Sequence, residues 1–532
     1  MRFYLILFLF SVLITKSLIP ISNPYIASGD QKQQLFWMYR FQDPELFKND
    51  LLTDFLSSGK LEPPGYSFLY RVASRFIDPL LFSKVIPILL VIISVLYMFR
   101  LGKSLGGAEV AGFIAGMLFI CDVLVIGWGK HFKAGTPRSF AYPLFICFVY
   151  YFVSKKPAKA SISLVLQSLF YPPILLNCAF LWGVSCIRRS WIKEIKSSAI
   201  LIVGLIVAGL ILVNSYTSSP AFLGPLISGS EAKAMTEFGP DGRSDFFKEH
   251  LYEYLFMGRA GLNLDKVSVY IALLIPMALV LGKRLFRVNR VVYDIILSSL
   301  ILFIIAHVVL FKLHLPSRYV LYTLPTAFIL LVAVNAQVFF EEIRARYGID
   351  FTEKIPSARK MLGASALIVV IMLGYEMAFS RPNKDREELY KFLSTLPKEV
   401  LIAGYPNDMD GVPLLSKRKV LVNMELALPY YTNYYSEIRR RTFDLFTAYY
   451  SNDPSEVKGF CNKYGLDYLV VNKEHFDWKF LHGKIYYSPF GEYAKSLVEK
   501  NKTFVLTNVP DSRKVFKNGT YSVISCNKES SN

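Results

Sequence analysis

Charge is scarce in this chain, and acid scarcer than base: only 19% of its 532 residues are charged, with 41 Asp or Glu against 60 Lys or Arg. Together with 53% hydrophobic residues and a mean hydropathy of +0.36, this excludes a water-soluble protein of such length. Cysteine and histidine are rare as well, six of each, and no CxxC or Cys/His ligand spacing occurs, which removes the usual metal-binding modules. Cys121, Cys147, Cys178 and Cys186 lie in or beside apolar runs, where a thiol behaves as a small hydrophobe. Cys461 and Cys526 fall in a polar C-terminal part and can pair in an oxidising compartment. There is no RNA- or DNA-binding motif, no repeat and no low-complexity tract, so nucleic acid is not an expected partner. The formal charge of +19 reads instead as the Lys and Arg that orient membrane helices.

What the chain has in abundance is apolar runs near the ~20 residues needed to cross a bilayer. They fall near 3–22, 80–99, 108–128, 138–154, 198–215, 267–283, 291–311, 318–340 and 361–379. A further run, 161–186, is broken at Tyr171-Pro172-Pro173, because proline lacks a backbone donor and clashes with the preceding turn. The first run resembles a signal peptide, but Lys16 interrupts it and no A-x-A-like site follows, so it reads as an uncleaved helix. With the N-terminus inside, the basic connections 99–104, 154–159, 283–290 and 344–360 are cytoplasmic; 188–196 joins them if 161–186 crosses twice. The expectation is a polytopic α-helical membrane protein of about eleven segments with an extracytoplasmic C-terminus.

On that topology the loops 23–79, 127–139, 216–266 and 312–318 face the same side as the tail 380–532. The tail changes character: 399–406, 418–423 and 466–472 read as strands, 435–450 and 454–465 as helices. Residues 1–379 are thus expected to form a membrane module with two long outer loops, 23–79 and 216–266, and 380–532 a soluble α/β domain.

The first loop opens with "SGDQ" and carries five acids, Asp30, Asp43, Glu45, Asp50 and Asp54. Asp30, where the first helix leaves the membrane, is placed either to take a proton from an acceptor hydroxyl or, equally, to stand as solvated loop; the other four read as solvated surface, on amphipathic segments lying at the lipid face. The second loop, "KHFKAGTPRSFAYP", clusters Lys130, His131, Lys133 and Arg138, partners suited to a lipid-linked phosphate or, equally, to anionic headgroups. Arg243 and Arg259 occupy the third loop, and Arg318, in "HLPSRY" beside His314, stands at a membrane edge where an arginine is costly unless paired or used.

Taken together, Gly29-Asp30 after the first helix, the long first loop with "FWMYRFQDPELFKND" and "PPGYSFLYRVASRF", the many passes and the outer "PSRY" (316–319) resemble the GT-C glycosyltransferase superfamily over residues 1–379. The resemblance implies transfer of a hexosyl or pentosyl unit from a polyprenyl-phosphate-linked sugar to a glycan, lipid or protein acceptor. Asp30 would be the base, and Lys130, His131, Arg138, Arg243 and Arg318 the substrate-binding groups. The layout is similar to that of protein O-mannosyltransferases, although Asp30 is followed by Gln31 where those enzymes carry an adjacent acid pair. The WWDYG string of oligosaccharyltransferases is absent, and the only DxD, Asp408-Met-Asp410 in the tail, reads as a turn, so no metal or other cofactor is implied. A lipid-linked glycan polymerase or ligase using 216–266, a transporter or flippase using the break at Tyr171, and a non-catalytic partner-binding protein remain alternatives. The expected location is a bacterial inner membrane, with the endoplasmic reticulum as the other choice; the sequons at Asn501 and Asn518 suit an outer tail.

Overall fold

Leu, Ile, Val and Phe fill the apolar runs. In lipid a backbone of such residues satisfies its own hydrogen bonds only as helix or closed barrel. The computed structural model, which describes residues 1–188, 199–217, 220–263, 265–313, 315–348, 370–371 and 383–526, shows helices. Six are long and apolar enough to cross a membrane by length and composition: Arg2–Ser22, Pro79–Gly106, Glu109–Ile126, Val267–Leu285, Arg290–Val308 and Pro316–Tyr347. Fewer than the expected eleven qualify among the described residues. The run 138–154 gives a 13-residue helix, Ala141–Val153. The run 161–186 divides at Tyr171 into Pro157–Phe170 and Pro172–Arg188, the second starting on prolines that need no donor there. The run 361–379 lies outside the described residues apart from 370–371, as does part of the basic stretch 344–360.

Close helix contact in the bundle rests on small residues. A Cβ at Gly102 would lie 2.7 Å from the Cβ of Ala115, and one at Gly112 2.6 Å from the Phe99 carbonyl oxygen, so neither helix of this hairpin tolerates a side chain at the crossing. The second of them continues into a seven-residue π-helical segment, Ile120–Ile126, an insertion common near functional sites.

The first loop is a chain of short helices: Gly29–Gln34, Phe36–Phe41, Leu51–Ser57 and Pro64–Ala73. Contrary to expectation, Asp50 is not solvated. It is buried and caps Leu51–Ser57, accepting from the Thr53 amide at 3.0 Å and hydroxyl at 2.6 Å, while burial pushes its carboxyl up to about 6. Asp43 pairs with Lys398 of the C-terminal part.

Residues 383–526 build a five-stranded sheet from β1 (Leu401–Gly404), β2 (Lys419–Val420), β3 (Tyr468–Asn472), β4 (Lys514–Lys517) and β5 (Tyr521–Ser525), in the order β2-β1-β3-β5-β4. The β2, β1 and β3 strands run parallel and β5 and β4 complete an antiparallel half. Helices Thr432–Tyr449 and Pro454–Tyr464 make the crossover to β3, and a disulfide joins Cys461 to Cys526. Closing a loop of that length is worth about 2–4 kcal/mol to the folded chain. Asp408 is not in an open turn. It is buried beyond β1 in the helical turn Pro406–Met409, accepting from Arg386 at 2.7 Å, Asn472 at 3.1 Å and Tyr521 at 3.2 Å.

This sheet domain lies on the loops. Phe55 stacks on Tyr434 with centroids 3.9 Å apart, the Lys417 ammonium sits 4.1 Å over Tyr39, and Ile227 and Tyr430 are joined backbone to backbone at 2.9 Å. Buried Glu237 of the third loop meets Arg439 at 2.9 Å.

Candidate active site

Ser28 begins a capping box, S-x-x-Q. Its hydroxyl accepts from the Gln31 amide at 3.3 Å, and the Gln31 side chain accepts from the Ser28 amide at 2.8 Å. That local signal starts the helix Gly29–Gln34 and puts Asp30 in its first turn, where a carboxylate suits the helix dipole. Gln31 also donates to Ser83 at 2.6 Å, tying the turn to the second long membrane helix.

A cavity of about 330 Å³ opens beside this turn, lined by Ser28, Gly29, Asp30, Lys130, His131, Lys133, Ala134, Thr136, Arg138, Arg318 and Leu321. It gathers five of the six residues singled out from the sequence, drawn from three separate loops. Arg138 donates to Asp30 at 3.2 Å, each side chain about one-third exposed. Arg318 reaches the cavity from the turn Pro316–Tyr319. Among the described residues, Lys130, Lys133 and Arg318 make no ion pair with a carboxylate, leaving three uncompensated cations in one concavity. Such a field concentrates anions. A lone carboxylate among four cations is a poor ligand set for a divalent ion, and no cluster of three or more His, Cys, Asp or Glu residues occurs among the described residues.

His131 is buried, its ring edge-on to Tyr142 and Tyr322 at 5.2 and 5.4 Å, and Tyr322 in turn packs against Tyr171 at 5.5 Å. The helix break at Tyr171 thus contributes to the aromatic packing behind His131. His314 lies outside the described residues, and Arg259 does not line the cavity.

Arg243 does not line it either. It donates from Nε to the Met424 carbonyl at 2.8 Å and from Nη2 to the Glu425 carbonyl at 3.3 Å, with the Glu425 carboxylate at 3.6 Å. Sequence reasoning missed Glu425 and Lys32 and read Asp410, in the DxD of the tail, only as part of a turn; the three meet here. Lys32 follows Asp30 by two residues, a signal available in the sequence, and Asp410 stands in the DxD; nothing local marks Glu425. Burial lowers the Lys32 ammonium, opposed by the carboxylates of Asp410 and Glu425. The carboxyl of Asp410 is pushed up to about 7, first by burial and then by Glu425.

An acid raised on folding, here from 3.8 to about 7, holds its proton in the folded chain where the unfolded chain has lost it. Its contribution to stability therefore falls as pH rises through that window. Asp410→Asn keeps the oxygen that accepts the Glu425 amide at 2.9 Å. The variant is expected to melt a few degrees above wild type at pH 8, with the gap narrowing by pH 5; a gap independent of pH would exclude the buried charge as its cause.

No protein-family model matches the sequence, and a search of curated proteins finds no match. Solved structures do share the architecture. The oligosaccharyltransferase AglB of Archaeoglobus fulgidus, in complex with an inhibitory peptide and a dolichol-phosphate, aligns with 92% of this chain and 71% of its own at a TM-score of 0.51 and 11% identity. An oligosaccharyltransferase of Archaeoglobus fulgidus in complex with Zn and sulfate aligns with 92% of this chain and 70% of its own, with a TM-score of 0.49 and 12% identity. At such identity the likeness is one of fold.

Proposed function

We propose that the chain is a membrane glycosyltransferase that moves a sugar from a polyprenyl-phosphate carrier to an acceptor on the extracytoplasmic side. The observation that carries this reading is the single cavity in which Asp30 faces Lys130, Lys133, Arg138 and Arg318. A phosphate leaving group departs as an anion and needs cations rather than an acid; the acceptor hydroxyl needs a base. The acceptor oxygen forms its bond to the anomeric carbon as the bond from that carbon to the phosphate oxygen breaks, with inversion. The hydroxyl proton passes to Asp30, and the carrier phosphate stays on Lys130, Lys133 and Arg318. Arg138 is shared between the phosphate and Asp30, and buried His131 shapes the cavity wall. The structural neighbour bound to a dolichol-phosphate supports a lipid-phosphate ligand. The chain would sit as a multi-pass protein in a bacterial inner membrane, its C-terminal domain outside.

The helix break at Tyr171 favours a second reading, a transporter of the lipid-linked substrate. Lipid analysis of cells lacking the chain separates the two. Loss of transfer leaves a polyprenyl-phosphate sugar accumulating on the outer leaflet, cleared when wild type is restored. Accumulation confined to the inner leaflet would mark transport instead, and no accumulation at all would sink both.

A further inference from the structure

The helix that carries Asp30 is only six residues long, Gly29–Gln34, too short to be stable or to hold a direction by itself. On its bundle side Gln31 anchors it to Ser83. On the opposite side it meets the peptide Met424–Glu425 of the sheet domain. Gln33 donates to the Glu425 carbonyl at 2.6 Å, and a side chain at Gly29 would collide with the Glu425 carboxylate. That peptide is itself fixed from two directions. Arg243 takes both of its carbonyls from the third loop, with only a tenth of its own side chain exposed, and Asp410 receives the Glu425 amide.

We infer that Arg243, Gln33 and the Met424–Glu425 peptide form a clamp that positions Asp30, so that Arg243 acts on the reaction through the base and not through the donor. The inference rests on Asp30 being the base. Three segments far apart in the chain converge on one peptide: the first loop, the third loop and the sheet domain. The acceptors are main-chain carbonyls, which no side-chain rotation at residues 424 and 425 can move, so the clamp sets the height and tilt of the Asp30 turn. Lys32, on the same helix, lies in the field of Asp410, Glu425 and Lys133, so the clamp and the cavity wall share a neighbour. Arg243 is a positioning residue, and the sheet domain is part of the apparatus that aims the base.

The test uses the full-length protein and two readouts. One is the dissociation constant of purified protein for undecaprenyl phosphate. The other is the rate at which cells lacking the chain clear accumulated polyprenyl-phosphate sugar when a variant is induced at matched expression. Misplacing a catalytic group by ~1 Å costs about a hundredfold. Arg243→Met is therefore expected to slow clearance by about ten- to a hundredfold while leaving the dissociation constant within about twofold of wild type. Gln33→Leu, which removes one bond without touching the third loop, should show the same split in weaker form and stands in if Arg243→Met does not fold. A weakened affinity for undecaprenyl phosphate in Arg243→Met would make Arg243 a donor ligand, and equal losses in both readouts would make its role a general one in folding; either overturns the clamp. Asp30→Asn is run alongside. If it clears the lipid like wild type, the transferase reading itself falls; if it is inactive while Arg243→Met and Gln33→Leu clear normally, only the clamp falls.

Discussion

Asp30→Asn is expected to lower sugar transfer by about a hundred- to ten-thousandfold, the range general-base catalysis supplies, while binding of the carrier phosphate persists. Asparagine has the same shape and still offers an oxygen to Arg138, so the turn after Ser28 stays in place; what it cannot do is accept the acceptor's proton. The substitution also dissolves the 3.2 Å ion pair with Arg138. That guanidinium keeps its hydrogen bond but loses its counter-charge, so affinity for undecaprenyl phosphate should be unchanged or tighter. The separation of the two effects, transfer lost and affinity kept or raised, is the informative part. A variant that bound the lipid less well and turned it over proportionately more slowly would point to a collapsed cavity, and one that worked at the wild-type rate would remove Asp30 from the chemistry.

Arg318→Met is expected to act at the other end of the reaction. Its guanidinium lines the cavity and is paired with no carboxylate among the described residues, so it has nothing to lose by engaging a phosphate. A hydrogen bond to a charged group is worth about 1.5–3 kcal/mol, which corresponds to a loss of about ten- to a hundredfold in affinity for undecaprenyl phosphate. Methionine keeps most of the side-chain bulk, so packing around the turn Pro316–Tyr319 is little disturbed. The remaining affinity, carried by Lys130, Lys133 and Arg138, should weaken as salt is raised, because exposed charges are screened. An unchanged dissociation constant measured by titration of the purified protein would remove Arg318 from the donor site.

These expectations draw on parts of the site that differ in how visible they were beforehand. Asp30, Lys130 and Arg138 could be read from position, since each stands beside the end of an apolar run, where loops must converge. The break at Tyr171 was equally plain, because two consecutive prolines are a local cause. The strands β1, β2 and β3 announce themselves as short β-branched stretches between turn residues, whereas β4 and β5, with "KVFK" and "YSVIS", are too mixed in polarity to stand out. The π-helical segment 120–126 has no compositional signature at all. Asp50 misled because its neighbours are polar and its burial depends on residues brought down by the sheet domain. Glu425 was invisible for the same reason: it lies almost four hundred residues from Gly29, and no periodicity joins them. Arg243 was visible as a charge, but its partners are main-chain carbonyls in another domain, and sequence does not say which way such a side chain turns.

The place of β5 in the sheet bears on when a newly made chain becomes competent. β5 lies between β3 and β4, paired with β3 from Tyr468↔Ser525 to Asn472↔Tyr521, yet it is synthesised after both. Until residue 525 has emerged, β3 has a bare edge and Cys461 has no partner, so the domain that presses on the Gly29 turn cannot settle. The loops bearing Asp30, Lys130 and Arg318 are by then long since made. Biosynthesis therefore completes the loops that line the cavity before the domain that holds the Met424–Glu425 peptide against the Gly29 turn.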